Sequence, residues 1–260
     1  MADDLPTCHS DVSPSHSRVL AFNPKASETL INPEPTGVAI FVKTPGLSPL
    51  KTRLASTIGE ELAEEFHVLS ASAVEAVVAK AGQTNQIHPF WAVAEDDGLE
   101  NVLWSKFPRV WQGEGGLADR LDRVYSTLRD DKEHVILIGA DTPQMTTEIL
   151  SEAHHILAEA TEPQFVIGRS DDGGFYLFGG NSPIPHNVWQ SVSYSESTTA
   201  DQLASAIKSF GPIHELPMLS DVDIFGDLEP MGDALANLPA PLGEQIRLLQ
   251  WISRLLMERE

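Results

Sequence analysis

A loop reading KTPGLSPLKTRL over residues 43–54 gathers Lys43, Lys51 and Arg53, three of the chain's 17 Lys and Arg residues. Such a cluster suits phosphate: lysines supply point charges, arginine a forked donor, and Gly46 lets the backbone come close to a ligand. The plainer alternative is a solvated basic turn. Carboxylates supply the complementary chemistry. GADTP (139–143) sets Asp141 at the end of an apolar run, with Pro143 turning the chain away, and SDVDIFGDL (220–228) offers Asp221, Asp223 and Asp227. Asp221 and Asp223 alternate, so on an extended chain they point the same way. Mg²⁺ and Mn²⁺ take oxygen ligands and commonly bridge one or two carboxylates to substrate phosphates. Asp141 is therefore a candidate ligand, and the 220–228 loop a second source for the same ion. The alternatives are a helix cap near Asp141, Thr142 or Thr146 and an acidic loop that is merely solvated.

Two further loops carry glycines beside charges. RSDDGGFYLFG (169–179) places two acids and two glycines before an aromatic run, a pattern that brings backbone and carboxylate to an acceptor or sugar, or simply a glycine turn between strands. QGEGGLADRL (112–121) is a ligand-facing loop or the start of a helix, with Asp119 and Arg120 early in that helix. The adjacent His154 and His155 face different directions on a helix and read as surface residues. The sequence holds no G-x-S-x-G elbow, no G-x-x-x-x-G-K-[ST] loop, and no G-x-G-x-x-G after the first strand, which removes support from triad hydrolases, P-loop enzymes and dinucleotide dehydrogenases.

These loops need a scaffold, and the apolar pattern supplies one. GVAIFVK (37–43) and HVILIGAD (134–141) read as buried strands, as do segments beginning at Ile87, Gln164 and Phe175. Between them, helical periods run over 60–81, 117–128 and 146–160; Leu62, Phe66, Leu69, Ala73 and Val77 mark an amphipathic face in the first. Strands alternating with helices predict right-handed crossovers, a mostly parallel sheet and a three-layer α/β/α domain with its ligand beyond the carboxyl ends of the strands. The domain is expected over residues 36–230, after a poorly ordered leader (1–35) and before a C-terminal helical extension (231–260). That final helix, marked by Leu248, Leu249, Ile252, Leu255 and Leu256, packs on the domain or on a second subunit as a homodimer.

Composition narrows the partners. The formal charge of -21 repels a nucleic-acid backbone, so a phosphorylated ligand must be small and met by a local basic cluster or a divalent cation. Cys8 is the one cysteine, which excludes an intrachain disulfide and fits a reducing cytoplasm. No apolar run approaches the roughly 20 residues of a membrane span.

Taken in order, FVKTPGLSPLKTRLA, the GLADRL loop, LIGADTP, DDGGFYLFG and DVDIFGDL resemble a bacterial family of uncharacterised, glycosyltransferase-like transferases associated with radical-SAM and selenocysteine-containing proteins. The likeness spans about residues 41–228. It implies the glycosyltransferase-A, or nucleotide-diphospho-sugar transferase, fold, shared with molybdopterin and phospholactate guanylyltransferases. It further implies that Lys43, Lys51 and Arg53 contact nucleotide phosphates, that Asp141 is the principal metal ligand and Asp223 a second, and that Asp172 and Gly173 face the transferred or accepting group. Gly46, Arg120 and Gly173 join the nucleotide-binding set, and Lys51 and Asp172 the catalytic one. Two departures stand out: Leu-Ser-Pro lengthens the first loop, and Leu117-Ala118 replaces a usual Leu-Gly. The expected function is Mg²⁺- or Mn²⁺-dependent transfer from a nucleotide-sugar to a small acceptor. The alternatives are nucleotidyl transfer with release of pyrophosphate and a non-catalytic nucleotide-binding module.

Overall fold

The computed structural model describes residues 36–84 and 86–259, so the expected leader lies outside the described residues. β1 (Thr36–Val42), β2 (Ile87–Val93), β3 (Arg109–Trp111), β4 (Val135–Gly139), β5 (Phe165–Ser170), β6 (Phe175–Gly180) and β7 (Ile213–Leu219) form one sheet in the order β3-β2-β1-β4-β6-β5-β7. All neighbours pair in parallel except that β6 runs against β4 and β5. The reversal follows from the tight turn over residues 171–174, which joins β5 to β6 as a hairpin where the other connections cross over with intervening helices. Because β6 is reversed, its first residues lie at the same rim as the carboxyl ends of its neighbours, and every loop singled out above is delivered to that rim.

Alternation within β1 explains the layers. Val38, Ile40 and Val42 join a core cluster under α2 (Glu60–Thr84) and α4 (Thr147–Glu159). Ala39 faces the opposite cluster, built with α3 (Leu117–Arg129), α5 (His186–Gln190) and α6 (Thr199–Ile207). Burying both faces is what makes the strand a continuous apolar run. A third cluster joins α1 (Thr52–Ile58) and one side of α2 to α7 (Leu228–Ala236) and α8 (Gly243–Met257) through Leu54, Phe66, Met231 and Trp251. α2 is therefore not a simple amphipathic helix. Val74, Val77 and Val78 meet the sheet while Ala63 and Phe66 meet the C-terminal helices. Among the described residues no helix is long and apolar enough to cross a membrane.

Candidate functional site

At the rim a cleft of about 820 Å³ opens between the loops that leave β1, β3, β4, β5 and β7. Lys43, Lys51, Arg53, Arg120, Asp141, Asp172 and Asp223 all line it. Residues far apart in sequence thus share one space. Gly46 and Gly173 do not line the cleft, and each instead shapes the loop it belongs to. Gly46 takes φ 78° in the first loop, where its N–H faces Glu64 Oε1 at 3.3 Å. Gly173 takes φ 90°, and a Cβ there would run into the Ser197 carbonyl. That close approach seats the 171–174 turn against the loop before α6.

Lys51 stands at the centre. It precedes α1 in a left-handed conformation, φ 40° and ψ 46°, which an L residue adopts only when its surroundings hold it there. The apolar neighbours provide that hold: Leu50 and Leu54 are buried on either side, and the Lys51 side chain is 7 % exposed. Its ammonium donates to the Val222 carbonyl at 2.7 Å and pairs with Asp141 Oδ2 at 3.0 Å and, more loosely, Asp223 Oδ1 at 3.8 Å. Arg53, on the outer side of α1 and largely exposed, donates to Asp223 Oδ2 at 3.2 Å.

Asp141 follows β4 directly, and the backbone around it is pinned from two sides. Ser70 on α2 donates to the Ala140 carbonyl at 2.6 Å, and Gln245 on α8 donates to Pro143 and Met145 carbonyls at 2.8 and 3.1 Å. Burial pushes the Asp141 carboxyl up, but the Lys51 ammonium beside it, aided by the His67 ring, outweighs this and holds it well below the usual carboxylate range. Asp141 Oδ1 is buried and has no hydrogen-bond partner. His67 Nδ1 lies 3.9 Å from it, too far for a hydrogen bond, so that contact is electrostatic.

The 220–228 loop brings two of its three acids to the site. Val222 turns into the third core cluster, which leaves Asp221 and Asp223 on the other side of the chain. Burial, reinforced by Asp172, Asp223 and Asp141 and opposed by Lys51, pushes the Asp221 carboxyl up to about 6. Asp227 instead fixes the loop, since its Oδ2 accepts the backbone N–H groups of Asp223 and Ile224 at 2.8 Å each. Asp172 Oδ1 accepts the Gly174 N–H at 2.8 Å, closing the turn. Asp119 likewise caps α3 through the Gly116 N–H at 2.9 Å, and Arg120 bonds the Gly115 carbonyl at 3.2 Å.

Two further residues line the cleft: His67, which carries no signal in the sequence, and Gln112, which opens the 112–121 segment without a role of its own there. His67 sits on α2 among apolar residues, where a histidine is ordinarily core. Its Nε2 lies 3.0 Å from the Lys43 carbonyl, and because a carbonyl only accepts, Nε2 carries the hydrogen. Gln112 directly follows β3 and is 4 % exposed. Both Nε2 hydrogens are taken up by the Val42 and Ala92 carbonyls, at 3.2 and 2.8 Å, which fixes the amide so that Oε1 is the group offered to a ligand. His67 could be singled out only by knowing that the N-terminal part of α2 lies beside the loop that leaves β1.

The donor set fits a divalent cation that arrives with its own oxygens. Asp141 and Asp223 supply two carboxylates and Val222 a carbonyl around one point, and Asp141 Oδ1 lacks a partner. Among the described residues no three His, Cys, Asp or Glu side chains gather closely enough to hold an ion alone. The remaining ligands must be phosphate oxygens and water, which is how Mg²⁺ is usually held.

The family model described as an uncharacterized protein conserved in bacteria, DUF2064, matches residues 66–196. No curated protein matches the chain. Among solved structures, a provisionally assigned nucleotide-diphospho-sugar transferase from Desulfovibrio desulfuricans G20 is similar at 20% identity and a TM-score of 0.75, over 86% of this chain and 97% of that one. Rv0371c from Mycobacterium tuberculosis H37Rv is similar at 14% identity and a TM-score of 0.51, over 76% of this chain and 97% of that one. At these identities the likeness is one of fold, and the fold is that of the nucleotide-diphospho-sugar transferases.

Proposed function

We propose that this chain, which belongs to the DUF2064 family of proteins conserved in bacteria, is a metal-dependent transferase that moves a sugar from a nucleotide-sugar to a small acceptor. One observation carries the reading: the Lys51 ammonium lies 3.0 Å from Asp141 in a cleft that Lys43, Arg53 and Arg120 also line. Groups that bind phosphate and groups that bind a cation therefore face one another at the rim where ligands of such sheets sit. The D. desulfuricans relative by fold bears the name of the same transferase class.

In this reading Asp141 and Asp223 hold Mg²⁺ or Mn²⁺. The ion supplies Lewis-acid polarisation of the phosphate oxygens and neutralises charge on the leaving group. Lys51 and Arg53 stabilise the negative charge that grows on the departing nucleoside diphosphate, in a cleft where fixed charges act more strongly than in water. Lys43 and Arg120 position the phosphates, and Gln112 Oε1 accepts an N–H of the base. An acceptor hydroxyl bonds to the anomeric carbon as the bond from that carbon to the diphosphate oxygen breaks, and Asp172 takes the hydroxyl proton. Four cationic side chains in one cleft also have the capacity for a triphosphate, which favours nucleotidyl transfer as the second reading.

The test is to incubate the purified protein with Mn²⁺ or Mg²⁺ and a panel of nucleotide-sugars and nucleoside triphosphates, following products and thermal stability. Release of nucleoside diphosphate that requires the metal is the expected result. Pyrophosphate release transfers the assignment to nucleotidyl transfer, and stabilisation by nucleotide without product reduces it to a binding module.

A further inference from the structure

The Lys51 ammonium does not simply border the carboxylates. It stands among three oxygens contributed by separate segments: Val222 O at 2.7 Å, Asp141 Oδ2 at 3.0 Å and Asp223 Oδ1 at 3.8 Å. An all-oxygen set carrying two negative charges is what a hard divalent cation takes. A divalent ion held by Asp141 and Asp223 and an ammonium that stays on the same two carboxylates would place three positive charges within a few ångströms, so the two compete for the position.

We propose that Lys51 is a tethered counter-ion that holds the metal position in the free protein and yields it when a diphosphate arrives, so that metal and phosphate bind as a linked pair. This rests on the metal-dependent reading above and adds to it an order of events. Three features favour such a device. A lysine has a flexible four-carbon stem that can carry its compact charge from the carboxylates to a phosphate within the same cleft. The Lys51 backbone is in the left-handed region, at the junction between the loop from β1 and α1, a position where small backbone changes redirect the side chain. The group it leaves, the Val222 carbonyl, is an oxygen ligand in its own right. Phosphate supplies the ammonium with a new anionic partner as the divalent ion supplies one to Asp141 and Asp223, so each arrival removes the cost of the other.

Mn²⁺ binding to the full chain tests this without reference to base, sugar or turnover, with inorganic pyrophosphate as a diphosphate that carries no base. In the wild-type protein Mn²⁺ alone is expected to bind weakly and pyrophosphate to tighten it. Lys51→Met and Lys51→Gln, two neutral variants that differ in polarity so that one folding failure does not decide the matter, are expected to bind Mn²⁺ alone about tenfold or more tightly than wild type. Pyrophosphate should tighten their Mn²⁺ binding much less. Neutral variants that bind Mn²⁺ no better than wild type, while wild type still takes Mn²⁺ with pyrophosphate, overturn the counter-ion role and leave the metal-dependent reading standing. Wild-type protein that binds Mn²⁺ equally with and without pyrophosphate overturns the linkage. If no form takes Mn²⁺ in either condition, the metal-dependent reading itself is wrong and the counter-ion role goes with it.

Discussion

The two ends of β1 solve the same problem, burying polar groups beside an apolar sheet, in opposite ways. At its start, Thr36 is fully buried and its hydroxyl meets His154 Nδ1 at 2.8 Å and His134 Nδ1 at 3.4 Å. Burial, despite the neighbouring Glu133, lowers the pKa of His134, and burial together with the nearby histidines lowers that of His154, so the cluster is neutral at ordinary pH. At the other end the groups are charged, and several lack partners. Of seven buried side-chain polar atoms without a hydrogen bond among the described residues, four belong to rim loops: Glu95 Oε1, Asp141 Oδ1, Thr142 Oγ1 and Gln144 Oε1. Buried polar atoms are ordinarily satisfied, so a concentration of exceptions marks a place arranged for something other than stability.

The largest expected break between the two ends comes from Asp141→Asn. Losing this charge removes one carboxylate from the cation's donor set, and nucleotide affinity in the presence of Mn²⁺ should fall by about 100-fold, a difference on the order of 3 kcal/mol. Titration calorimetry against the best nucleotide of the panel measures it, with circular dichroism confirming that the protein folds. Unchanged affinity with unchanged metal dependence would remove Asp141 from the site. At the opposite end, Thr36→Val should do the reverse. The isosteric change strips His154 Nδ1 of its 2.8 Å partner, and an unmade buried hydrogen bond costs about 1–3 kcal/mol of stability, visible in a urea melt. Nucleotide affinity should not move, and a comparable loss of affinity would show that the two ends are coupled through the strand.

The same contrast explains what was legible in the sequence. β1, β4 and the helices α3, α4 and α8 announce themselves because burial on a fixed face imposes a period on the chain. α1 does not: Thr52–Ile58 begins inside a basic, Pro- and Gly-containing segment that reads as loop through Leu54, and its helical character comes from Leu54 and Ile58 docking on α7 and α8. β3 is three residues long and has no period to show. For α7, Pro230 in the first turn, where no intrahelical N–H is required, looks like a breaker and is not one. In the cleft, Lys51 and Asp141 were readable as charges placed just after apolar strands. His67 was not, because a histidine on the buried side of a helix has the same local pattern whether it serves the core or a ligand, and Gln112 was legible only as the first residue of the 112–121 segment. The bond from Lys51 to Val222 joins residues 171 positions apart, and only the completed sheet brings them together.

The smallest predicted effect sharpens the comparison most directly, since it asks whether the rim carries charge at the expense of stability. Asp221 is held with its carboxyl pushed up to about 6 by burial and by the carboxylates of Asp172, Asp223 and Asp141. An acid whose folded pKa exceeds its unfolded value of 3.8 binds a proton more readily when folded, so its contribution favours folding at low pH and is lost as pH rises through about 6. In metal-free protein Asp221→Asn should therefore be more stable than wild type at pH 7.5, by on the order of 1 kcal/mol after allowance for solvent screening, or about 2–4 °C in Tm for a domain of this size. At pH 4.5 the folded carboxyl is mostly protonated while the unfolded one is still largely ionised, so the gain should shrink to roughly a third of its value at pH 7.5 and disappear only below the unfolded value of 3.8. Thermal melts at the two pH values in a chelating buffer decide the point. A gain equal at both would trace the effect to packing or hydrogen bonding, and no gain at pH 7.5 would mean that Lys51 already compensates the cluster in full.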